Sequence, residues 1–137
     1  VKIAEKALLP KAVISFIRTH HGRGKAKYFY NSFKNQYPDK PINDELFTYP
    51  GPNPFSKETA VLMMADSVEA ASRSLKEHTE ESISALVNKI IDGQIADGLL
   101  KSAPLTFKDV ETIKSVFVDK LKTMFHTRIS YPDLKKQ

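Results

Sequence analysis

The stretch from Ser56 to Arg73, SKETAVLMMADSVEAASR, decides the fold that the sequence predicts. Ser56 is a typical helix N-cap, and the acidic side chain of Glu58 suits the positive end of the helix dipole. The main apolar stripe recurs at helical spacing at Ala60, Val61, Met64, Val68, Ala71 and Leu75. Further apolar residues lie on the other faces, at Leu62, Met63 and Ala70. We therefore predict a long central helix, from Ser56 to about Glu77, covered on both sides.

Helices are also predicted on the N-terminal side of this central helix. Pro10 suits a helix start, and Gly22 is a typical C-cap residue. Between them, one apolar face carries Val13, Phe16, Ile17 and His20, with Ile14 and His21 on the neighbouring stripe. Both imidazoles are therefore expected to point toward the packed side. A short aromatic helix is predicted from Tyr28 to Gln36, where Pro38 would stop it.

Two more helices are predicted after the central one. The first follows Thr79, and it packs through Ile83, Leu86, Val87, Ile90 and Ile91. The last begins with the capping pattern Thr106 to Asp109 and ends before Ile129. It buries Val110, Ile113, Phe117, Leu121 and Met124.

The segment at about 38–55 is predicted to be an irregular, ordered loop. It holds five of the eight prolines, and a loop of this length in a compact domain is usually functional or mobile. No pair of segments shows the alternation of a β-sheet. The predicted class is all-α, with residues 1–137 in one domain. Because the first residues already resemble the middle of a helix, we expect the chain to be an excised piece.

Composition excludes several classes of protein. Hydrophobic residues make up 41% and charged residues 27% of the 137 residues, the balance of a globular protein. No apolar run is long enough to span a bilayer. The absence of cysteine excludes disulfides and thiolate metal sites. The net charge of +5 favours anionic partners, but without an arginine-rich run or RNA-binding signature we expect no nucleic acid.

Three residues have the chemistry of metal ligands. His20 and His21 close the first predicted helix, and Asp66 lies within the central one. Neutral imidazoles with a carboxylate are typical ligands of a hydrolytic divalent metal. The alternatives are histidines favoured by the helix dipole and an aspartate on a solvated charged face. Since three ligands cannot hold two metals, part of a dinuclear site would be missing. His78 and His126 lack comparable partners and are interpreted as surface or structural residues.

Three other residues could contact a phosphorylated ligand. Arg73 lies two turns beyond Asp66 and could hold a phosphate, or it could pair with Glu69 or Glu77. Lys25 follows the histidines in a turn flanked by glycines, and Tyr49 could stack on a base. The ordinary alternatives are that the basic side chains form ion pairs on the surface and that Tyr49 anchors a loop.

Several stretches together resemble one family, the cytosolic HD domain of the seven-transmembrane HD receptors, which are bacterial cyclic-di-AMP phosphodiesterases. They are HHG (20–22), KAKYFY (25–30), YPGP (49–52), KE (57–58), MADSVEAASR (64–73) and HTRISYP (126–132). The resemblance covers essentially the whole chain. It implies an HD-type helical bundle truncated at its N-terminal side, in which 1–137 forms the C-terminal part.

The resemblance also implies a function. The complete domain would hold two divalent ions, iron or manganese, and a bridging hydroxide would attack phosphorus in line. His20 and His21 would be ligands of one metal and Asp66 of the other, while Arg73, Lys25 and Tyr49 would contact the cyclic dinucleotide. The parent would be an inner-membrane protein with this segment in the cytoplasm, and the fragment could form a homodimer through exposed apolar surface.

The family's His-Asp dyad would lie upstream of Val1, since the chain contains no His-Asp dipeptide. Arg23 also occupies a position where relatives commonly have threonine. We therefore expect the fragment alone to be inactive, and its catalytic residues are unknown. Two alternatives stay open, a non-catalytic nucleotide-binding sensor domain and a basic helical module that binds nucleic acid.

Overall fold

The computed structural model of the chain describes residues 1–128, and within that range the structure is helical. Its α-helices are α1 (Lys2–Lys6), α2 (Lys11–Thr19), α3 (Lys27–Gln36), α4 (Lys57–Ser72), α5 (Glu80–Ala96) and α6 (Phe107–Arg128). A 3-10 helix, Asp44–Phe47, interrupts the proline-rich loop. The β-structure among these residues is a single isolated bridge between Lys25 and Thr48. The all-α prediction is confirmed.

The helix α4 lies at the centre, as predicted, because it packs against α2, α5 and α6. Its buried side chains are Thr59, Ala60, Met63, Met64, Val68 and Ser72. The apolar ones, Ala60, Met63, Met64 and Val68, join the fully buried residues of α5, Ile83, Val87 and Ile91, in one hydrophobic cluster that α6 completes with Val110 and Leu121. Burial of this apolar surface supplies the main stabilisation of the fold.

The start of α4 agrees with the prediction, but its end does not. Ser56 is the N-cap and forms a reciprocal capping box with Thr59. The helix ends at Ser72 and not near Glu77. The Ser72 hydroxyl donates to the carbonyl of Glu69 at 2.6 Å, and the returning chain brings Nε2 of His78 within 3.0 Å of the Ser72 carbonyl. These contacts satisfy polar groups at the helix end. Leu75 therefore packs against the core from outside the helix.

The predicted packing of α2 is wrong in part. Pro10 is the N-cap, as expected. Val13 and Ile17, however, are 39% and 38% exposed, and His21 is exposed too, so the predicted packing of these three residues is wrong. Phe16 is half-buried, whereas the single buried residue of α2 is Thr19, whose hydroxyl donates to the Ser15 carbonyl at 2.8 Å. Among the described elements α2 packs mainly against α4, and its opposite side stays open.

The later helices follow the sequence pattern. Thr79 caps α5 in a capping box with Ser82. Thr106 and Asp109 form the predicted capping box at the start of α6, with two reciprocal hydrogen bonds that are each 3.0 Å long. The predicted end of this last helix before Ile129, and the HTRISYP stretch beyond 128, lie outside the described residues. None of the helices within 1–128 is long and apolar enough to cross a membrane.

Candidate functional site

The two histidines lie in the turn that ends α2. His20 is the C-cap residue, and Gly22 follows with a φ of 52°, in the left-handed region that glycine adopts at low cost. Nδ1 of His20 lies 2.8 Å from the Ile17 carbonyl. Because a carbonyl can only accept, Nδ1 donates in this contact, and Nε2 is the ring nitrogen left to bind a metal. In metal sites, a hydrogen bond from the second ring nitrogen to a carbonyl orients the imidazole in the same way.

The ring of His21 contacts two other rings. Its ring stacks on Tyr49, with centroids 4.3 Å apart and planes inclined by 15°. The ring of His20 lies 4.0 Å away on a tilted plane. Partial burial lowers the pKa of His21 below 6.5, and the neighbouring His20 lowers it further, whereas the charge of Asp66 partly raises it. His21 is therefore held mainly in its neutral form, which is the form that can bind a metal.

The proline-rich loop fastens the histidine turn in place. The backbone N–H of Tyr49 donates to the Gly24 carbonyl at 2.9 Å. Asn53 accepts from the backbone N–H of Arg23 at 2.8 Å through its Oδ1. The approach is close, since a Cβ at Gly22 would lie 2.8 Å from that same oxygen. Asn53 is a residue that the sequence did not single out, because nothing in its pattern shows which backbone group lies opposite it.

Asp66 lies on the exposed side of α4, near enough to His21 to influence its pKa. The three predicted ligands thus occupy one region and have suitable donor chemistry. They do not form a closed site, because residues 1–128 hold no group of three or more His, Asp or Glu side chains arranged to bind an ion. The residues present fit a metal centre in chemical type but do not complete one.

The predicted phosphate contacts are paired in the structure. Arg73, the C-cap of α4, donates from Nε to Glu69 at 2.9 Å, one of the two pairings that the sequence left open. Lys25 lies 3.5 Å from Asp44 and 4.0 Å from the ring centre of Tyr30. Both pairs are solvent-accessible, and such pairs exchange partners at little cost. Arg73 and Lys25 therefore stay predictions as substrate contacts.

Tyr49 lines a cleft that begins beside the histidine turn. The cleft has a volume of about 700 Å³ and runs between α3, α4 and α5. A second cavity of about 310 Å³ shares Gly24, Lys25 and Lys27 with it and extends to Arg23. At the floor, Nε2 of Gln94 donates to the hydroxyl of Ser67 at 2.9 Å and ties α5 to α4. Cavities of this size suit small-molecule ligands.

His78 lies in a different cleft, between the α4–α5 turn and the end of α6. Its ring stacks on Phe125 at 3.6 Å, in addition to its contact with the Ser72 carbonyl. These contacts give His78 a structural role, one of the two that the sequence favoured. His126 lines the same cleft.

The fold is that of an HD domain. The solved HD domain of the phosphodiesterase PgpH from Listeria monocytogenes matches with a TM-score of 0.82 and 30% identity, over 91% of this chain and 57% of that one. The same domain in complex with cyclic-di-AMP matches with a TM-score of 0.83 and 31% identity, over 90% of this chain and 56% of that one.

The chain is homologous to the cyclic-di-AMP phosphodiesterase PgpH. It is 41% identical over 128 residues to PgpH of Bacillus subtilis, which is 93% of this chain and 18% of that protein. It is 34% identical over 134 residues to PgpH of Listeria monocytogenes, which is 98% of this chain and 18% of that protein. The chain spans less than a fifth of the length of these curated relatives. No protein-family model matches it. The resemblance to HD-domain phosphodiesterases is confirmed.

Proposed function

We propose that the chain forms part of a metal-dependent phosphodiesterase that hydrolyses cyclic di-AMP. The observation that carries this proposal is the histidine turn near Asp66, on a fold matched by an HD domain solved in complex with cyclic-di-AMP. Homology to proteins named cyclic-di-AMP phosphodiesterases supports the same substrate.

In this proposal His20 and His21 bind one divalent ion and Asp66 binds a second, with manganese or iron as the metals. The Nδ1 proton of His20 points to the Ile17 carbonyl, so that Nε2 can bind. Tyr49 stacks on His21 and limits the rotation of its ring. Bound divalent ions would supply charge neutralisation at the phosphoryl oxygens. Arg73 and Lys25 would exchange their carboxylate partners for phosphate oxygens.

Residues beyond these three must complete the centre, because the described residues provide no closed ligand set. We expect that the chain alone binds metal weakly and does not hydrolyse cyclic di-AMP. Turnover by the pure chain would contradict this expectation. The resemblance also supports a membrane-anchored parent with this domain on the cytoplasmic side, and no nucleic acid as a partner.

A second candidate is a nucleotide-binding sensor domain without hydrolytic activity. The incomplete ligand set within 1–128 and the cleft beside Tyr49 favour binding without chemistry. Tight binding of cyclic di-AMP with no metal-dependent turnover, in a protein that contains the whole domain, would favour this candidate.

Metal binding tests the ligand assignment directly. Manganese is titrated into a protein that contains the complete HD domain, and binding is followed by the loss of the electron paramagnetic resonance signal of the free ion. His21→Ala and Asp66→Asn are each expected to weaken binding by at least about tenfold, because each removes a ligand. Asp119→Asn, on the exposed surface of α6, is the control and should bind like the wild type. Equal affinity for manganese in all four proteins would show that His21 and Asp66 are not metal ligands.

A further inference from the structure

Asn53 lies in a part of the proline-rich loop that has little conformational freedom. It follows Pro52 and precedes Pro54, and the two proline rings restrict the backbone on both sides of it. Pro54 is fully buried. Two residues later Ser56 caps α4 through its reciprocal bonds with Thr59. The half-buried side chain of Asn53 therefore belongs to a stiff segment that is fixed to the start of α4.

The same side chain holds the turn that carries the histidines. The N–H groups of Gly22 and Gly24 donate to carbonyls of α2 and of the turn itself. The N–H of Arg23, which lies between them, instead donates to Oδ1 of Asn53 at 2.8 Å. This bond is two positions after His21, so it ties the backbone next to the predicted metal ligands to the loop.

The turn and the loop also fit together at two glycines. A Cβ at Gly22 would lie 2.8 Å from Oδ1 of Asn53 and 3.3 Å from Sδ of the buried Met63 in α4. A Cβ at Gly51 would lie 2.7 Å from Cγ of Arg23, because the aliphatic stem of that arginine lies against the loop. Each glycine thus leaves room for a side chain of the other segment, and α4 takes part in the same contact.

We propose that Asn53 is a positioning residue that sets the distance between the histidine pair and Asp66. One end of this link is the N–H of Arg23 in the histidine turn, and the other is the N-cap of α4, the helix that carries Asp66. Metal ligands must be held within about 0.5 Å of their productive positions, and Asn53 joins the two segments that supply them. This inference rests on the proposed function, since it takes His20, His21 and Asp66 as ligands.

The test is manganese binding to a protein that contains the complete HD domain, measured by electron paramagnetic resonance of the free ion. Asn53→Ala should weaken binding about tenfold, the lower end of the loss when a partner that orients metal ligands is removed. Asn43→Ala is the matched control. The side chain of Asn43 accepts from the N–H of Glu45 at 3.1 Å within the same loop, so its loss should leave the affinity unchanged.

Two further variants separate positioning from general stability. Val87→Ala removes volume from the fully buried part of α5. It should lower the midpoint of thermal unfolding but leave the affinity for manganese unchanged. Asn53→Asp keeps an acceptor oxygen. In the metal-free protein it should keep the amide of Arg23 protected from hydrogen exchange, whereas Asn53→Ala should lose that protection.

The outcomes distinguish this inference from the proposed function. Equal manganese affinity in Asn53→Ala and the wild type would overturn the positioning role, while the proposed function would stand. A similar loss of affinity in Val87→Ala, or an Arg23 amide that stays protected in Asn53→Ala, would overturn it as well. A wild-type domain that binds no manganese would contradict both the proposed function and this inference.

Discussion

At the scale of single residues, the main feature of the site is the cluster of the rings of His20, His21 and Tyr49. This cluster holds the exposed ring of His21 near Asp66, where three influences act on its protonation. Burial and the neighbouring imidazole favour the neutral ring, and the carboxylate favours the charged one. The balance leaves the ring neutral, ready to bind a metal without first releasing a proton.

This balance predicts how the pKa of His21 responds to mutation. In metal-free protein, proton NMR should give a pKa below 6.5 for His21. Asp66→Asn should lower that pKa further, because it removes the charge that favours the protonated ring. Glu69→Gln is the control, since Glu69 pairs with Arg73 and does not contribute to the shift. A pKa above 6.5, or a rise in Asp66→Asn, would contradict the account.

The lowered pKa of His21 also determines how this residue changes the stability of the fold with pH. The folded state binds the His21 proton less readily than the unfolded state, whose pKa is near 6.5. The contribution is therefore fully present above that pH, and it is lost as the pH falls toward the lower pKa of the folded state.

What the sequence could predict at this scale depends on whether a residue acts through local or distant contacts. The pair His20 and His21 stands out because the two are consecutive and are followed by Gly22 at a helix end, which is a local pattern. Asn53 acts on Arg23, which is thirty positions away in the chain. The sequence alone contains no signal for such a contact. Burial of Val13 and Ile17 was predicted wrongly for a related reason, since periodicity identifies an apolar face but not whether another element covers it.

At the scale of elements, the turn after α2 and the proline-rich loop behave as one unit. Besides the Tyr49 and Asn53 bonds, the backbone N–H of Ala26 donates to the Phe47 carbonyl at 2.6 Å. Loop and turn are thus joined at three positions directly after the histidines, Arg23, Gly24 and Ala26. Sequence analysis identified both segments and their irregular character, and it identified the capping residues Ser56, Thr79 and Thr106 correctly. Helix ends were harder, because α4 ends where tertiary contacts satisfy its last polar groups.

Two glycine substitutions test the close contact between this turn and the loop. Gly22→Ala should destabilise the fold by about 1 kcal/mol or more, because φ is positive and the new Cβ would meet Asn53. Gly93→Ala, within α5, is the matched control. A Cβ there meets nothing within 4 Å, so helix propensity should raise the stability by about 0.5–1 kcal/mol. Urea denaturation gives both values, and a stable Gly22→Ala protein would contradict the described contact.

At the scale of the whole molecule, the fold has one well-packed side and one open side. α4, α5 and α6 share the hydrophobic core. α1, α2 and the segment that joins them expose the large apolar residues Ile3, Leu8, Leu9, Val13 and Ile17. The sequence predicted exposed apolar surface, and it is found. Surface of this kind usually marks contact with another protein segment.

The exposed side predicts self-association of the chain. Light scattering should show an average mass that rises with concentration, because pairing removes apolar area from water. Ile3→Ser combined with Val13→Ser should reduce the rise. Phe107→Ser, which changes a 94% exposed residue at the start of α6, is the control. A chain that stays monomeric at high concentration would contradict this prediction.

The most direct test of the central claim is hydrolysis of cyclic di-AMP with manganese present. The protein for this test is the chain extended at its N-terminal side to the length of the solved HD domain that it matches. The account predicts metal-dependent turnover that falls by at least about a hundredfold in His21→Ala and Asp66→Ala, each of which removes a ligand. Asp119→Asn should retain full activity. No turnover by the extended protein, or full turnover by either ligand variant, would contradict the claim.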